Sequence, residues 1–480
     1  SAECMEVVSD HAVFDEMYRR SLLDLRALST DFGFGTFPVA GLPWYAVPFG
    51  RDSLITALQA LPVHPELARG TLYTMAHYQG TKTDPTRDEQ PGKIMHELRR
   101  GELANTGRIP FAPYYGSIDA TPLFLILLSE YVLHTDDRRT FLDLLPHAER
   151  ALRWIDEYGD RDGDGLVEYY QEASGGIANQ GWKDSENSIV HRSGEYAKAP
   201  IALVEVQGYV YQAKTGMAAA LRRMDGPDVP NGGARREWAE RLEAEANELK
   251  RRVDELFWKE EERFYAIALD KDKKQVACVS SNPGHLLMSG ILDAERAALV
   301  AERLMMPDMF SGYGIRTMAA GQTGYNPISY HNGSVWPHDN ALCLLGFSKQ
   351  GCKKQAGQLL EALLRAAEQF EYYRLPELFC GYDAGAGRPV RYPVACSPQS
   401  WAAGTVLVMA EAMIGLKRDD RSRTLRFEPV LPAGMNRLSV RRLKLGRGHL
   451  DIEIRRKEPD GYTVRVPVNT SGWMIAGESG

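Results

Sequence analysis

Apolar residues recur at helical spacing along most of the chain. Phe14, Met17, Tyr18, Leu22, Leu25 and Leu28 share one face, and Arg51, Asp52 and Ser53 open a segment carrying Leu54, Ile55, Leu58 and Leu61. Trp238, Leu242, Leu249, Val253 and Leu256 share another. Further helices are predicted over 141–158, 358–370 and 402–416. Thr121-Pro122 predicts a helix start, an N-cap followed by proline at the first helical position. The apolar run Pro122–Leu128 behind it reads as a core helix. From Thr424 onward the period changes to two, in Leu-Arg-Phe, Leu-Ser-Val, Leu-Asp-Ile-Glu-Ile and Tyr-Thr-Val-Arg-Val, with Gly-containing turns between them. That alternation predicts strands.

Long loops rich in glycine, proline and aromatic residues separate the helices, over 32–50, 108–119, 175–194, 312–339 and 374–399. Long irregular loops in a compact protein often carry function. The expected architecture is mainly α, a toroid of helical hairpins over residues 1–419 with a site at one end. A small β appendage is expected over 420–480.

The 480 residues carry 57 Lys and Arg against 64 Asp and Glu, a net charge of −7. That balance speaks against a nucleic-acid partner, which requires a basic face. No apolar run approaches the ~18 residues of a membrane-spanning helix. The six cysteines are scattered, with no CxxC pair, and read as reduced thiols of a cytoplasmic protein. The start at Ser1 has neither the basic nor the apolar region of a signal peptide. It suits a processed chain or a piece of a longer one.

The chemical signal is rings beside acids. Trp44, Phe49, Arg51 and Asp52 occur together; so do Trp182, Lys183 and Asp184; so do Tyr330, His331 and Trp336. Glu377 follows Arg374-Leu-Pro, and Gln399 and Trp401 lie further on. The apolar face of a pyranose packs on an aromatic ring, while its hydroxyl edge takes carboxylates, amides, Arg and His. Glycoside hydrolysis requires two carboxyl groups, and Asp184 and Glu377 are the candidates. Burial would raise Asp184 enough to keep its proton, whereas a facing Lys183 would oppose that. Each residue also has a plainer reading: Asp184 as a turn residue, Glu377 as a partner of Arg374, Asp52 as a helix N-cap, His331 as a structural histidine.

Asp160, Asp162, Asp164 and Gly165 match the first, third, fifth and sixth positions of a calcium loop. Position twelve is Gln171, so this is not a full EF-hand. Glu168 and the Leu166 carbonyl would complete a shorter oxygen cage around a structural calcium. The alternative is a tight Asp/Gly turn. No GxSxG, HExxH or P-loop is present.

Taken in order, these motifs resemble the amylo-α-1,6-glucosidase, or glycogen-debranching-enzyme-like, glycosidases. The stretches around Trp44–Asp52, His96–Glu97, Tyr114–Asp119, Asp160–Glu168, Gln180–Asp184, Glu205, Gly314–Arg316, Tyr330–Trp336, Arg374–Glu377 and Gln399–Trp401 run collinearly from about residue 12 to 470. The resemblance implies an (α/α)6 barrel and an inverting reaction, with Asp184 as general acid and Glu377 as general base. Arg51 and Asp52 would hold sugar hydroxyls, with Trp44, Phe49, Tyr330, His331 and Trp336 around them. Asp119, Trp182, Lys183, Arg316, Gln399 and Trp401 fall within the matching motifs as further substrate-binding candidates. The calcium-like loop also recurs among such relatives. Many of them carry an N-terminal β-rich domain, whereas this chain begins almost directly with a helix.

The first expectation is release of glucose from α-1,6 branches of a glycogen-like glucan. The second keeps the fold and takes small α-glycosides such as glucosylglycerate, mannosylglycerate or trehalose. A non-catalytic carbohydrate-binding protein and a phosphorolytic relative are further readings, and an intact acid and base count against both. No catalytic cofactor is expected. The expected partner is a carbohydrate, with no nucleic acid and no membrane; the sequence does not set an oligomeric state.

Overall fold

Helix after helix enters the centre of the molecule from one side and returns on the outside. The computed structural model describes residues 4–102, 106, 109–225, 232–457 and 461–476. Arg108, at the head of the 108–119 loop, lies outside them, as do 458–460 and 477–480 of the expected appendage. Among the described residues the helices are α1 (Ala12–Ala27), α2 (Gly50–Ala60), α3 (Pro65–His77), α4 (Ala120–Thr135), α5 (Arg138–Trp154), α6 (Val204–Met224), α7 (Gly232–Leu256), α8 (His285–Ser289), α9 (Ala294–Leu304), α10 (Pro337–Lys349), α11 (Lys353–Ala367) and α12 (Ser400–Ile414).

The even-numbered helices form an inner layer. Each contacts the next from α2 to α12, and α12 returns to α2. The odd-numbered helices pack outside them, each against an inner neighbour. The protein is therefore mainly helical, with the layering of an α/α toroid. Sequence explains the layers: almost every residue of α4 and α12 is buried and most are apolar, as a helix surrounded by protein requires. The outer helix α5 instead buries one stripe, Phe141, Leu144, Leu145, Ala148 and Leu152.

Three helix starts differ from expectation. Helix α4 begins at Ala120, before Thr121, whose hydroxyl accepts the Ile94 N–H at 2.9 Å and ties a loop down. Helix α2 is capped by Phe49 without a side-chain bond; Asp52 sits inside its first turn and is not the N-cap. Helix α10 begins at Pro337, inside the expected 312–339 loop.

The C-terminal region is β-rich as anticipated but forms two sheets: Leu416–Asp419, Thr424–Phe427 and Met474–Ile475 make a small one, and the larger gains an N-terminal strand. Strands β2 (Arg437–Leu445), β3 (Gly448–Arg456) and β4 (Tyr462–Asn469) pair in order, and β1 (Glu6–Ser9) closes the other edge. All pairings of this larger sheet are antiparallel, with Val7 opposite Val440. The sheet thus draws on residues 6–9, placed by periodicity with the helical part. Among the described residues no helix is long and apolar enough to cross a membrane.

Candidate active site

The starts of α2 and α12 and the loops leading into α2, α4, α6, α10 and α12 line one cavity of about 260 Å³. Tyr45, Phe49, Arg51 and Asp52 reach it from the start of α2, and His96, Glu97, Arg99 and Phe111 from the loop before α4. Ile177, Trp182 and Asp184 come from the loop before α6, and Tyr330, His331 and Trp336 from the one before α10. Glu377, Gln399 and Trp401 complete it from the segment entering α12. Gly50 permits this assembly at one point: a Cβ there would run into the Met95 carbonyl, so only glycine lets the 93–97 segment lie on the first turn of α2.

Asp184 and Glu377 therefore line the same cavity. Arg51, almost wholly buried, donates from Nε to Asp119 Oδ2 at 2.6 Å and from Nη2 to the Gly181 carbonyl at 2.8 Å. Its remaining nitrogen lies 3.9 Å from Asp184 Oδ2, an ion-pair distance beyond a hydrogen bond. Asp119 also accepts from Ser117 Oγ at 2.8 Å. Burial pushes the Asp184 carboxyl up to about 6, against the pull of Arg51 and with added repulsion from Asp119 and Glu97. A carboxyl so placed keeps its proton in mildly acidic solution and still meets a cation once that proton leaves.

Glu377 is held differently. The Tyr330 hydroxyl donates to its Oε1 through a short hydrogen bond, and the Cys396 N–H to its Oε2 at 2.8 Å. Burial raises this carboxyl above the ordinary glutamate value while those two donors oppose the rise. Arg374 is not its partner: it forms a two-pronged pair with Asp24 of α1, both arms at 2.7 Å. That bond clamps the loop and leaves Glu377 facing the cavity.

Asp52 accepts from Gln399 Nε2 at 3.0 Å. Burial pushes it up to about 8; Arg51 opposes this, while Glu377, Asp184 and Asp119 add to it. His331 meets Ser185 Oγ through Nδ1 at 2.7 Å, which braces the residue after Asp184. Burial holds this imidazole neutral, well below its usual range. The aromatic floor interlocks: Trp182 stands edge-on to His331, Trp336 and His338, and Trp401 stacks on His338 at 3.7 Å between centroids.

Four predicted binding residues do not line the cavity. Asp119 acts through Arg51. Lys183 points into the core, donating to the Thr317 carbonyl at 2.6 Å and Ser281 Oγ at 3.2 Å, so it does not oppose the proton on Asp184. Arg316 spends its guanidinium on the Gly381, Pro307 and Asp308 carbonyls and holds loops together. Trp44 stands out in solvent, 58% exposed. Conversely, Tyr45, His96, Glu97, Arg99, Phe111 and Ile177 line the cavity without having been named individually as site residues, although the loop of residues 96–116 was expected to shape the neighbouring subsite. Glu97 had a signal in its place beside His96 within a matching motif; Ile177 had none.

The description "Mannosylglycerate hydrolase MGH1-like glycoside hydrolase domain" belongs to the family whose model matches residues 45–387. No curated protein matches the chain. Among solved structures, a GH78 family rhamnosidase of Bacillus sp. GL1 is similar at 15% identity and TM-score 0.66, over 97% of this chain and 41% of that one. A structure titled "Sialidase" is similar at 14% identity and TM-score 0.67, over 96% and 40%. The chain thus spans about two fifths of the length of these two. A GH63 mannosylglycerate hydrolase from Thermus thermophilus, solved with Tris, is similar at 17% identity and TM-score 0.60, over 82% of this chain and 99% of that one. The same enzyme has been solved with Tris and D-glycerate and with glucose. At these identities the likeness is one of fold.

Proposed function

Because the chain belongs to the mannosylglycerate hydrolase MGH1-like glycoside hydrolase family, we propose that it is an inverting hydrolase of small α-glycosides, with a glycerate-type glycoside as the leading substrate. The observation that carries this is that Asp184 and Glu377, in their different hydrogen-bond and charge surroundings, line one small aromatic cavity. At about 260 Å³ it lies below the ~300–1,000 Å³ of sites for drug-sized ligands. One sugar ring and a short aglycone suit that space. The ring of contacts among α2, α4, α6, α8, α10 and α12 supports reading the toroid as an (α/α)6 barrel.

The reaction follows from the two carboxyl environments. Asp184 gives its proton to the glycosidic oxygen as the bond from that oxygen to the anomeric carbon breaks. Arg51, at 3.9 Å, then faces the carboxylate left behind. Glu377 takes a proton from a water attacking the opposite face of the sugar, so the anomeric configuration inverts. The Tyr330 hydroxyl and the Cys396 N–H fix the direction of that carboxylate.

A proton NMR time course on mannosylglycerate, glucosylglycerate, trehalose, isomaltose and a branched limit dextrin tests the proposal. Cleavage of a glycerate glycoside with the β-sugar appearing first is expected. An α-anomer appearing first would overturn inversion. Preference for the limit dextrin would favour the second reading, an amylo-α-1,6-glucosidase. The exposed ring of Trp44 speaks for that reading, as a platform for a longer glucan beyond the cavity.

The pH profile is a further expectation. Glu377 must be ionised, so kcat/KM falls as pH drops through its raised value. Asp184 must be protonated, so kcat/KM falls as pH rises through about 6. A bell results whose alkaline limb lies near pH 6. A plateau extending well into the alkaline range would show that Asp184 is not the acid.

A further inference from the structure

The acidic loop that resembles a calcium site contains a cation of the protein's own. Asp160, Asp162 and Asp164 bring a carboxylate oxygen each within 4.8 Å of one another, the grouping a metal ion requires. The ammonium of Lys273 stands against these acids, with Nζ 2.9 Å from Asp162 Oδ2, 2.8 Å from Asp164 Oδ2 and 2.8 Å from Glu168 Oε2. An ammonium has three N–H donors, and three carboxylates receive them. Asp160 also holds the loop backbone, its two oxygens accepting the Gly163 and Gly165 amides at 2.8 and 2.9 Å. The Leu166 N–H donates to Asp164 Oδ1 at 2.9 Å and fixes the direction of that carboxylate. The residues present therefore do not fit a calcium ion while Lys273 is in place, since a divalent ion would share its ligands with an adjacent positive charge.

The position of Lys273 is built into the chain. It lies in a tight turn at φ +58° between the short strands Ala268–Leu269 and Gln275–Val276. Asp270 Oδ1 holds that turn by accepting the Asp272 and Lys274 amides, both at 3.0 Å. Ala268–Leu269 in turn pairs with Ala202–Leu203, the strand leading into α6. Glu168 is nearly inaccessible to solvent, so it requires a positive partner within the protein. Burial opposes the charge on Lys273, and the three acids outweigh it and raise its affinity for the proton.

We infer that Lys273 is the resident cation of the Asp160–Glu168 loop, standing where related loops would hold a divalent metal, and that removing it uncovers a latent calcium site. Calorimetric titration with calcium chloride, together with thermal unfolding in EDTA and in millimolar calcium, tests this on the wild type, Lys273→Met and Lys273→Arg. The wild type is expected to bind no calcium and to unfold at one temperature in both conditions. Lys273→Met should unfold several degrees lower in EDTA, bind calcium and recover most of the loss; Lys273→Arg should stay insensitive to calcium. Calcium binding by the wild type, or a wild-type midpoint that falls in EDTA, would overturn the inference. So would a Lys273→Met protein as stable as the wild type in EDTA, or one that calcium fails to restore. Should Lys273→Met not fold at all, the wild-type titration alone still decides whether the loop takes the metal.

Discussion

Asp184→Asn is expected to lower kcat about 10²–10⁴-fold, the range that a positioned general acid contributes, with the unfolding midpoint little changed. The fold does not lean on this carboxylate: Arg51, the cation facing it, is 3.9 Å away and already anchored to Asp119. The amide occupies the same volume and cannot give up a proton. An activated aryl glycoside, whose leaving group departs without protonation, should recover much of the lost rate. Glu377→Gln should fall by a similar factor, and a better leaving group should not rescue it, because the missing step is deprotonation of water. Added azide, which attacks without a base, should restore turnover there and give a glycosyl azide of inverted configuration. Near-normal rates in either variant on the responsive substrate, or the same rescue pattern in both, would refute the assignment of the two roles.

Arg51→Met should produce the second large effect, on stability and on pH dependence together. Arg51 and Asp119 are each almost fully buried and joined at 2.6 Å. Breaking such a pair by removing one partner costs about 3–5 kcal/mol, because the other charge is left uncompensated. Asp119 keeps only Ser117, and the Gly181 carbonyl loses its donor. Arg51 also pulls the Asp184 carboxyl downward, so its loss should move the alkaline limb of kcat/KM upward from about pH 6. Urea unfolding reads the first effect, and the pH profile of the remaining activity reads the second. A limb that stays in place would mean that Arg51 does not set the proton affinity of the acid.

The sequence disclosed helices in both layers, the inner α2, α4 and α12 as well as outer ones, while the outer α3 and α9 went unread. Helices with one polar face, such as α1, α5, α7 and α11, announce themselves by period. Helix α6 does not, since it buries Glu205, Gln207, Gln212 and Lys214 among its apolar residues, and α8 has only five residues. The meeting of rings and acids was readable because so many loops repeat that chemistry. Which neighbour each charged group chose was not. Arg374 lies three residues from Glu377 and pairs with Asp24, 350 residues away. Lys273 reaches Glu168 across 105 residues. Lys183 adjoins Asp184 in sequence and points into the core. Side chains next to each other along a loop diverge as readily as they meet, and a one-dimensional pattern does not record the direction.

The cavity wall is stitched from segments far apart in the chain: Gln399 bonds to Asp52 across 347 residues, and Ser400 to Thr56 across 344. Bringing such distant segments together carries an entropic cost that grows only slowly with the length of the intervening loop, but the encounter comes late, because nearer contacts form first. During synthesis, Arg51 and Asp52 emerge with no partner at 399 or 401, and Asp184 precedes Glu377 by a long stretch of chain. The cavity is therefore complete only once α12 is seated between α10 and α2. A nascent chain halted before that helix would hold Asp184, Glu377 and most of the aromatic floor, yet would lack Trp401 and the helix that packs between α10 and α2.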